Sequence, residues 1–385
     1  MKKGIKITII VTMIIVILGS AGFLTYFFLF NPLLFKSCVA KPFTEYPVDM
    51  DRLEAIIPLG NLNPPGHTYP TDHIYFFTNH TAYPDGLEIY APEEITITTI
   101  EYVEYDPPQI AGVSTDYTID FAVCSQVSGQ YGHVNNISSF LSDQIGDFGD
   151  PVNCYEIDNR TFTVYSIKKN IEVEAGQLLG RACIGGGGFD FWLKDQRVNL
   201  EWVNTDLSRH FQHTACPLAY FTEPLKSTLE TKVSGWAGPV DPPGYCGRID
   251  FDVPNTAQGI WAQEGKEDER QEEYGLALVY HNFNASKGAI SIGTAGNSTY
   301  DQSVYVFTPT TSGYRNRNFS QVMNDGNIYY YYCDGFGFGG SYTKVIFIKM
   351  TSNRELLFQY LEVTDPLPSD PTALFNPAKA ITYYR

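Results

Sequence analysis

From Ile7 to Phe30 the chain runs about two dozen residues without a charged side chain, behind a basic Met1-Lys2-Lys3-Gly4-Ile5-Lys6 start. At about 1.5 Å rise per helical residue such a run crosses a hydrocarbon core of about 30 Å. A cleavable secretory signal needs an apolar stretch of only about 7–15 residues and a small-residue cleavage site. Gly19-Ser20-Ala21-Gly22 imitates such a site, but the length favours an uncut anchor. Lys36 stands where a lipoprotein signal has a small residue, so Cys38 is not read as lipidated. Lys2, Lys3 and Lys6 precede the span and Lys36 and Lys41 follow it. That bias puts the N-terminus in the cytoplasm of a single-pass cell-membrane protein and the rest of the chain outside.

Three features agree with that side. No second apolar span follows. Six Asn-x-Ser/Thr sequons, at Asn79, Asn136, Asn159, Asn284, Asn297 and Asn318, are roughly twice what chance placement of the asparagines gives. Six cysteines lie beyond Cys38, an even number compatible with three disulfides in an oxidising compartment, and their pairing is left open. Beyond Lys41 the chain carries 43 acidic against 21 basic residues. Such a surface repels nucleic acid, so a nucleic-acid partner is excluded; the membrane and a cell-surface polymer or protein partner remain.

The body is rich in Tyr, Phe, Thr, Ile and Val and punctuated by 33 glycines and 23 prolines, which are strand and turn residues. Ile95-Thr96-Ile97-Thr98, Thr161 to Tyr165 and Lys344 to Met350 alternate with strand period. The pattern predicts an all-β ectodomain behind one N-terminal transmembrane helix. Residues 1–30 form the anchor and 31–58 a membrane-proximal linker, with a short helix over Val48 to Ile57. A β domain over 59–199, a mildly helical connector over 200–219 with Asp206 as its cap, and a second antiparallel β domain over 220–385 follow. The acidic stretch Glu264 to Glu273 reads as a solvated loop, and Asp365 to Pro377 as an extended, proline-rich tail. The four consecutive tyrosines Tyr329 to Tyr332 put rings on both faces of a strand, and buried core is the preferred reading over an exposed stacking surface.

The residues that can carry chemistry gather in the first β domain. Gly66-His67-Thr68-Tyr69-Pro70-Thr71-Asp72-His73-Ile74-Tyr75 sets two histidines and an aspartate around a turn leading into an apolar strand. Side chains that close supply nitrogen and oxygen donors for a zinc ion at about 2.0–2.2 Å. Tyr131-Gly132-His133-Val134, then Glu174 to Gly180, then Gly188-Phe189-Asp190-Phe191 follow in order. The plainer reading of His67, His73 and His133 is hydrogen-bonded turn and strand residues. His210-Phe211-Gln212-His213 with Cys216 has metal-like spacing but reads as surface histidines on the connector. Gly185 to Gly188 and Gly335 to Gly340 lack the context of a phosphate or nucleotide site and read as loops.

This order resembles the lysostaphin-type, or M23-like, zinc endopeptidases. In that family a His…Asp pair precedes a strand, a Tyr-x-His-Leu segment and an Ala-Gly-x-x-Ile-Gly turn follow, and His-x-His closes the site. His67 and Asp72 look like the first ligand pair, spaced one residue wider. Tyr90-Ala91-Pro92-Glu93-Glu94 is similar to a Tyr-Ala-Pro-Ala-Asp turn, Ala175-Gly176 with Gly180 matches the tight turn, and His133 looks like the catalytic histidine. Where the family has His-x-His this chain reads Phe189-Asp190-Phe191, with Asp190 in place of the last ligand; His73 is available as a substitute for Asp72. The resemblance implies an M23-like β sandwich/barrel-hybrid domain, degenerate at its last motif, and a zinc site drawn from His67, Asp72, His73 and Asp190. The expected function is a non-catalytic cell-envelope binding or scaffolding module. A zinc-dependent endopeptidase acting on surface peptides, and a structural subunit of a membrane complex, are the alternatives.

Overall fold

In the first half of the chain, alternating apolar and polar residues build strands with one buried and one open face. The structure, a computed structural model, describes residues 36–385 apart from 109–111, 158, 236–237, 267–268, 294–302, 333, 336–343 and 363–367. The apolar run Ile7 to Phe30, Asn297, Cys333 and most of Gly335 to Gly340 lie outside the described residues. Among the described residues no helix is long and apolar enough to cross a membrane.

The first sheet contains β1 (Leu53–Ile57), β2 (His73–Thr78), β3 (Leu87–Tyr90), β4 (Ile95–Asp106), β5 (Thr115–Ala122), β6 (Val127–Ile137), β7 (Asn153–Ile157), β8 (Arg160–Val173), β9 (Leu178–Ala182) and β10 (Phe189–Asp195). Its order is β1-β2-β10-β6-β5-β4-β8-β7, with β9 joining β6 to β3. Every pairing is antiparallel. One short helix, α1 (Ser139–Ile145), follows β6, with Ser138 capping it through the Leu141 N–H. Ile74, Phe76, Phe189, Phe191 and Tyr131 point to the buried side, and Phe191 packs edge-on to Tyr131 with ring centroids 4.9 Å apart. Residues alternate across a pleated sheet, so His73, Tyr75, Asp190 and Trp192 share the opposite face.

The segment expected as a helix over Val48 to Ile57 is instead β1 over its second half. Leu53, Ile56 and Ile57 bury themselves in pairing with β2, and that packing overrides any local helical preference. The expected connector helix is also absent. Two 3-10 turns, Arg209–Phe211 and Pro217–Tyr220, stand there, the second set by Pro217 at its start. Asn204, not Asp206, supplies the acceptor ahead of the first turn: its side-chain Oδ1 accepts from the Asp206 and Leu207 N–H groups.

Helix α2 (Leu225–Glu230) and the two-residue strands β11 (Ser234–Gly235) and β12 (Gly238–Pro239) lead into a second antiparallel sheet. It is formed by β13 (Gly259–Gln263), β14 (Gly275–Tyr280), β15 (Gly288–Ile292), β16 (Ser303–Phe307), β17 (Tyr329–Tyr332), β18 (Asp334–Gly335), β19 (Lys344–Ser352), β20 (Glu355–Glu362) and β21 (Ile381–Tyr384). The order is β17-β19-β20-β21-β13-β14-β15-β16-β18. Strands β13 to β15 are apolar on both faces because both are covered. Ile260, Ala262, Ala277, Val279 and Ala289 join the first sheet's core, while Trp261, Leu276, Leu278 and Ile290 form a second cluster. All four tyrosines of β17 are buried: Tyr329 and Tyr331 enter that second cluster, Tyr330 and Tyr332 a third.

Cys38 is bonded to Cys124 and Cys216 to Cys246. The first bond ties a segment ahead of the first sheet to its core, and Phe43 and Val48 of the same segment are fully buried. Cys154 and Cys183 are free thiols.

Candidate functional site

Turning the polar faces of β2 and β10 the same way assembles a cluster. Trp192 pairs with His73 and Asp190 with Tyr75 across the β10–β2 ladder, while Asp190 also faces Gly132 on β6. A fourth strand is recruited by an irregularity. Tyr117 pairs with Val134 and Ile119 with Tyr131, so Gly132 and His133 together oppose the single residue Thr118. At this bulge His133 takes φ +58°, a left-handed backbone uncommon for a residue with a side chain. Tyr131 and Val134 both stay in the core, and His133 is turned outward toward Asp190. Gly132 is required by the same geometry, since a Cβ there would stand 2.7 Å from the Trp192 ring.

His73 is almost wholly buried, with its Nδ1 3.2 Å from Asp72 Oδ1 and its Nε2 3.6 Å from Asp190 Oδ2. The same Asp72 oxygen accepts a 2.7 Å hydrogen bond from the Trp192 indole N–H. Burial alone would raise the Asp72 carboxyl, but His73 hydrogen-bonds to it and brings it below the ordinary range. Asp72 therefore orients the His73 ring, as carboxylates behind metal-ligating imidazoles do. Among the described residues, neither His73 Nε2 nor Asp190 Oδ1 has a hydrogen-bond partner. Their side chains are 3% and 4% exposed, so water offers little compensation. Burial pushes the Asp190 carboxyl up.

His67 stands edge-on to His73, ring centroids 5.4 Å apart. Burial, and then the neighbouring His73, lower it to about 4, so it is neutral at physiological pH and free to act as a donor. His133 behaves oppositely. Its Nδ1 is 2.8 Å from Asp116 Oδ2 and its Nε2 3.4 Å from Asp190 Oδ2, although its side chain is 62% exposed. The Asp116 hydrogen bond, helped by the Asp190 charge, raises it to about 9 and keeps it an imidazolium. The Tyr105 hydroxyl also donates to Asp116 Oδ2, at 2.9 Å.

The cluster lies between two openings. One, of about 590 Å³, is lined by Asp72, Trp192, Asp120, Gln130, Lys194 and His210. The other, of about 230 Å³, lies on the His133 side against Tyr105, Asp116 and Gly186 to Gly188. The Gly185 to Gly188 stretch, read as a plain turn, thus forms a wall of the site, with positive φ at Gly185, Gly186 and Gly187.

The loop from His67 to Asp72 is held from outside the first sheet. Tyr69 is buried, and its hydroxyl donates to the Trp261 carbonyl at 3.1 Å. Its N–H donates to the Glu272 carboxylate at 2.6 Å. Glu272 belongs to the 3-10 turn Glu269–Tyr274, so the acidic stretch read as solvated is in part docked. A half-buried peptide N–H needs an acceptor, and this carboxylate supplies it. The expected turn segments also meet. The Gly176 N–H donates to the Ala91 carbonyl at 2.8 Å and the Ala91 N–H to the Gln177 carbonyl at 3.0 Å, with Gly176 at φ +75°.

All five residues singled out in the sequence, His67, Asp72, His73, His133 and Asp190, reach this one face. Among the described residues, however, no three His, Cys, Asp or Glu side chains already stand as a ligand cage. Asp116, Tyr105, Trp192 and Glu272 carry no local signal in the sequence; only the register and the sheet-to-sheet contact bring them in. His213 and Cys216 do not form a metal set: the His213 ring bonds the Val198 carbonyl at 2.7 Å and Cys216 is in a disulfide.

No family model matches this chain, and no curated protein matches it. Two solved structures of Csd3 from Helicobacter pylori are similar to part of it, both at 15% identity. In the hexagonal crystal the match covers 48% of this chain and 34% of that one, with a TM-score of 0.25. In the orthorhombic crystal the figures are 41%, 34% and 0.23. The matched part spans about a third of the Csd3 chain.

Proposed function

We propose that this protein is an extracytoplasmic zinc-dependent endopeptidase of the lysostaphin type, acting on peptide cross-links of a surface polymer with a rearranged donor set. One observation carries the reading: among the described residues, the buried His73 Nε2 and Asp190 Oδ1 have no hydrogen-bond partner. The other oxygen of that carboxylate, Asp190 Oδ2, lies 3.6 Å from His73 Nε2, too far for a hydrogen bond. That distance is close to the roughly 3.3–3.5 Å that separates two donors of one tetrahedral zinc bonded at about 2.0–2.1 Å. His67, His73 and Asp190 would hold the ion, two imidazoles and one carboxylate. That is the donor count of the His, Asp, His set implied by the M23-like resemblance, with the carboxylate and an imidazole exchanged between β2 and β10.

Held there, a zinc ion would supply Lewis acidity toward a scissile carbonyl and a lowered pKa for water. The protein's own groups do the rest. Asp72 and Trp192 hold the His73 ring with its proton on Nδ1 and its Nε2 lone pair toward Asp190. The His133 imidazolium, braced by Asp116 and Tyr105, donates to the oxygen on which negative charge develops. The openings on either side give an extended peptide a path past these groups. Two disulfides support an oxidising, extracytoplasmic setting, and membrane anchoring rests on the apolar run from Ile7 to Phe30. The non-catalytic binding reading has one observation of its own, the lack of a ready-made ligand cage among the described residues.

Elemental analysis of the purified full chain, beside mass-spectrometric assay of cross-linked wall peptides, tests the proposal. One zinc per chain is expected, lost in His73→Ala and in Asp190→Asn. His133→Gln should keep the zinc and lose cleavage by about 10²-fold or more, as for removal of a donor to a developing oxyanion. A folded wild-type chain with neither zinc nor cleavage would overturn the proposal in favour of binding without chemistry.

A further inference from the structure

A second concavity lies where the connector meets the second sheet. It encloses about 700 Å³, within the range of small-molecule sites. Its walls come from three separate parts of the chain: Asn199, Glu201 and Trp202 where the first β domain passes into the connector, Asn255 ahead of β13, and Asn353 and Arg354 at the β19–β20 turn. These walls are tied to one another. The Asp252 carboxylate accepts from the Val203 N–H at 2.9 Å and from the Ile260 N–H at 3.0 Å, and the Arg354 guanidinium donates to the Val203 carbonyl at 3.1 Å. Asp252 is thus committed to structure, and the cleft is formed before anything enters it.

The chemistry on offer is specific. Trp202 is held against Phe211, ring centroids 5.8 Å apart, and among the described residues its buried indole N–H has no hydrogen-bond partner. Around it stand planar amides, which both give and accept hydrogen bonds, and one guanidinium, which only gives them. Two carboxylates against one arginine, in a chain of net charge −17, disfavour an anion. A flat aromatic face ringed by amides suits a neutral ring that is apolar on its C–H face and hydroxylated at its edge. The position matters as well. Across the turn Arg209–Phe211, His210 lines the opening that contains Asp72 and Trp192, while Gln212 lines this cleft.

We infer that the cleft between connector and second sheet is a saccharide-binding site, which holds the glycan of the same polymer whose peptide enters the His73–Asp190 centre. The polymer's identity rests on the reading under Proposed function; the saccharide chemistry does not. Calorimetric titration of the full chain with a β-1,4-linked N-acetylglucosamine tetramer tests it, with thermal unfolding as the control for folding. The wild type is expected to bind, and Trp202→Ala to weaken binding at least tenfold. Asn353→Ala, at an exposed turn, should weaken it severalfold without change in unfolding, which covers the case in which the tryptophan variant fails to fold. His73→Ala should bind the tetramer as the wild type does, so that loss of zinc and loss of sugar are separately read. No binding by the wild type, or equal binding by Trp202→Ala and Asn353→Ala, would overturn the inference and leave the zinc proposal untouched.

Discussion

Asp72 and His73 are neighbours in sequence, yet they serve different ends. His73 is the first residue of β2 and shares a face with Tyr75, whereas Asp72 precedes the strand and turns its carboxylate to His73 and Trp192. Which of the two faces Asp190 is decided by strand register, and a shift of one residue would exchange them. That is why the sequence, which offers both, does not choose. Likewise His133 was legible as a candidate, but its partners were not, because they depend on a bulge that no local pattern announces. The tight fit at that bulge gives a residue-scale expectation. Gly132→Ala drives a Cβ into the Trp192 ring, an overpacking that costs about 1–3 kcal/mol. Thermal unfolding should register that loss, and the displaced indole should weaken zinc binding as well. An alanine variant with wild-type stability and zinc affinity would show that Trp192 is not held as described.

Elements were easier to anticipate than their partners. Strand alternation announces β4, β8 and β19, and the all-β class follows from it. The docking of the 3-10 turn Glu269–Tyr274 against the His67 to Asp72 loop does not, since Tyr69 and Glu272 are far apart in the chain and a run of acids ordinarily favours water. Burial raises the Glu272 carboxyl from its ordinary range to about 8. A carboxyl whose folded pKa is raised binds its proton more tightly in the folded than in the unfolded chain. Ionisation therefore erodes stability as pH climbs from about 4.5 to about 8, and below that window the group has no effect. Amide exchange at Tyr69, after correction for intrinsic rates, should quicken across this window. In Glu272→Gln, whose amide oxygen still accepts from Tyr69, that dependence should flatten. An unchanged profile in the variant would remove Glu272 from the loop's support.

At the scale of the molecule, two antiparallel sheets share one continuous core, and strands β13 to β15 of the second are buried on both faces. The division into two β domains rests on the mildly helical look of the connector over 200–219. It could not reveal that Tyr69 and Gly275 meet, where a Cβ at Gly275 would stand 2.5 Å from the Tyr69 ring. The second sheet is thus part of the site's support and also forms a wall of the interdomain cleft. The order of His67, Asp72, His133 and Asp190 along the chain was readable through its resemblance to the zinc endopeptidases; the exchange of donors proposed between β2 and β10 rests on the strand register.

The most direct test of that exchange is an anomalous difference map at the zinc edge from crystals of the zinc-loaded chain. A single peak is expected at about 2.0–2.2 Å from His67, from His73 Nε2 and from Asp190, with Asp72 still bonded to His73 and Trp192. A peak ligated by Asp72 with His73 turned away, or no peak on this face, would contradict it.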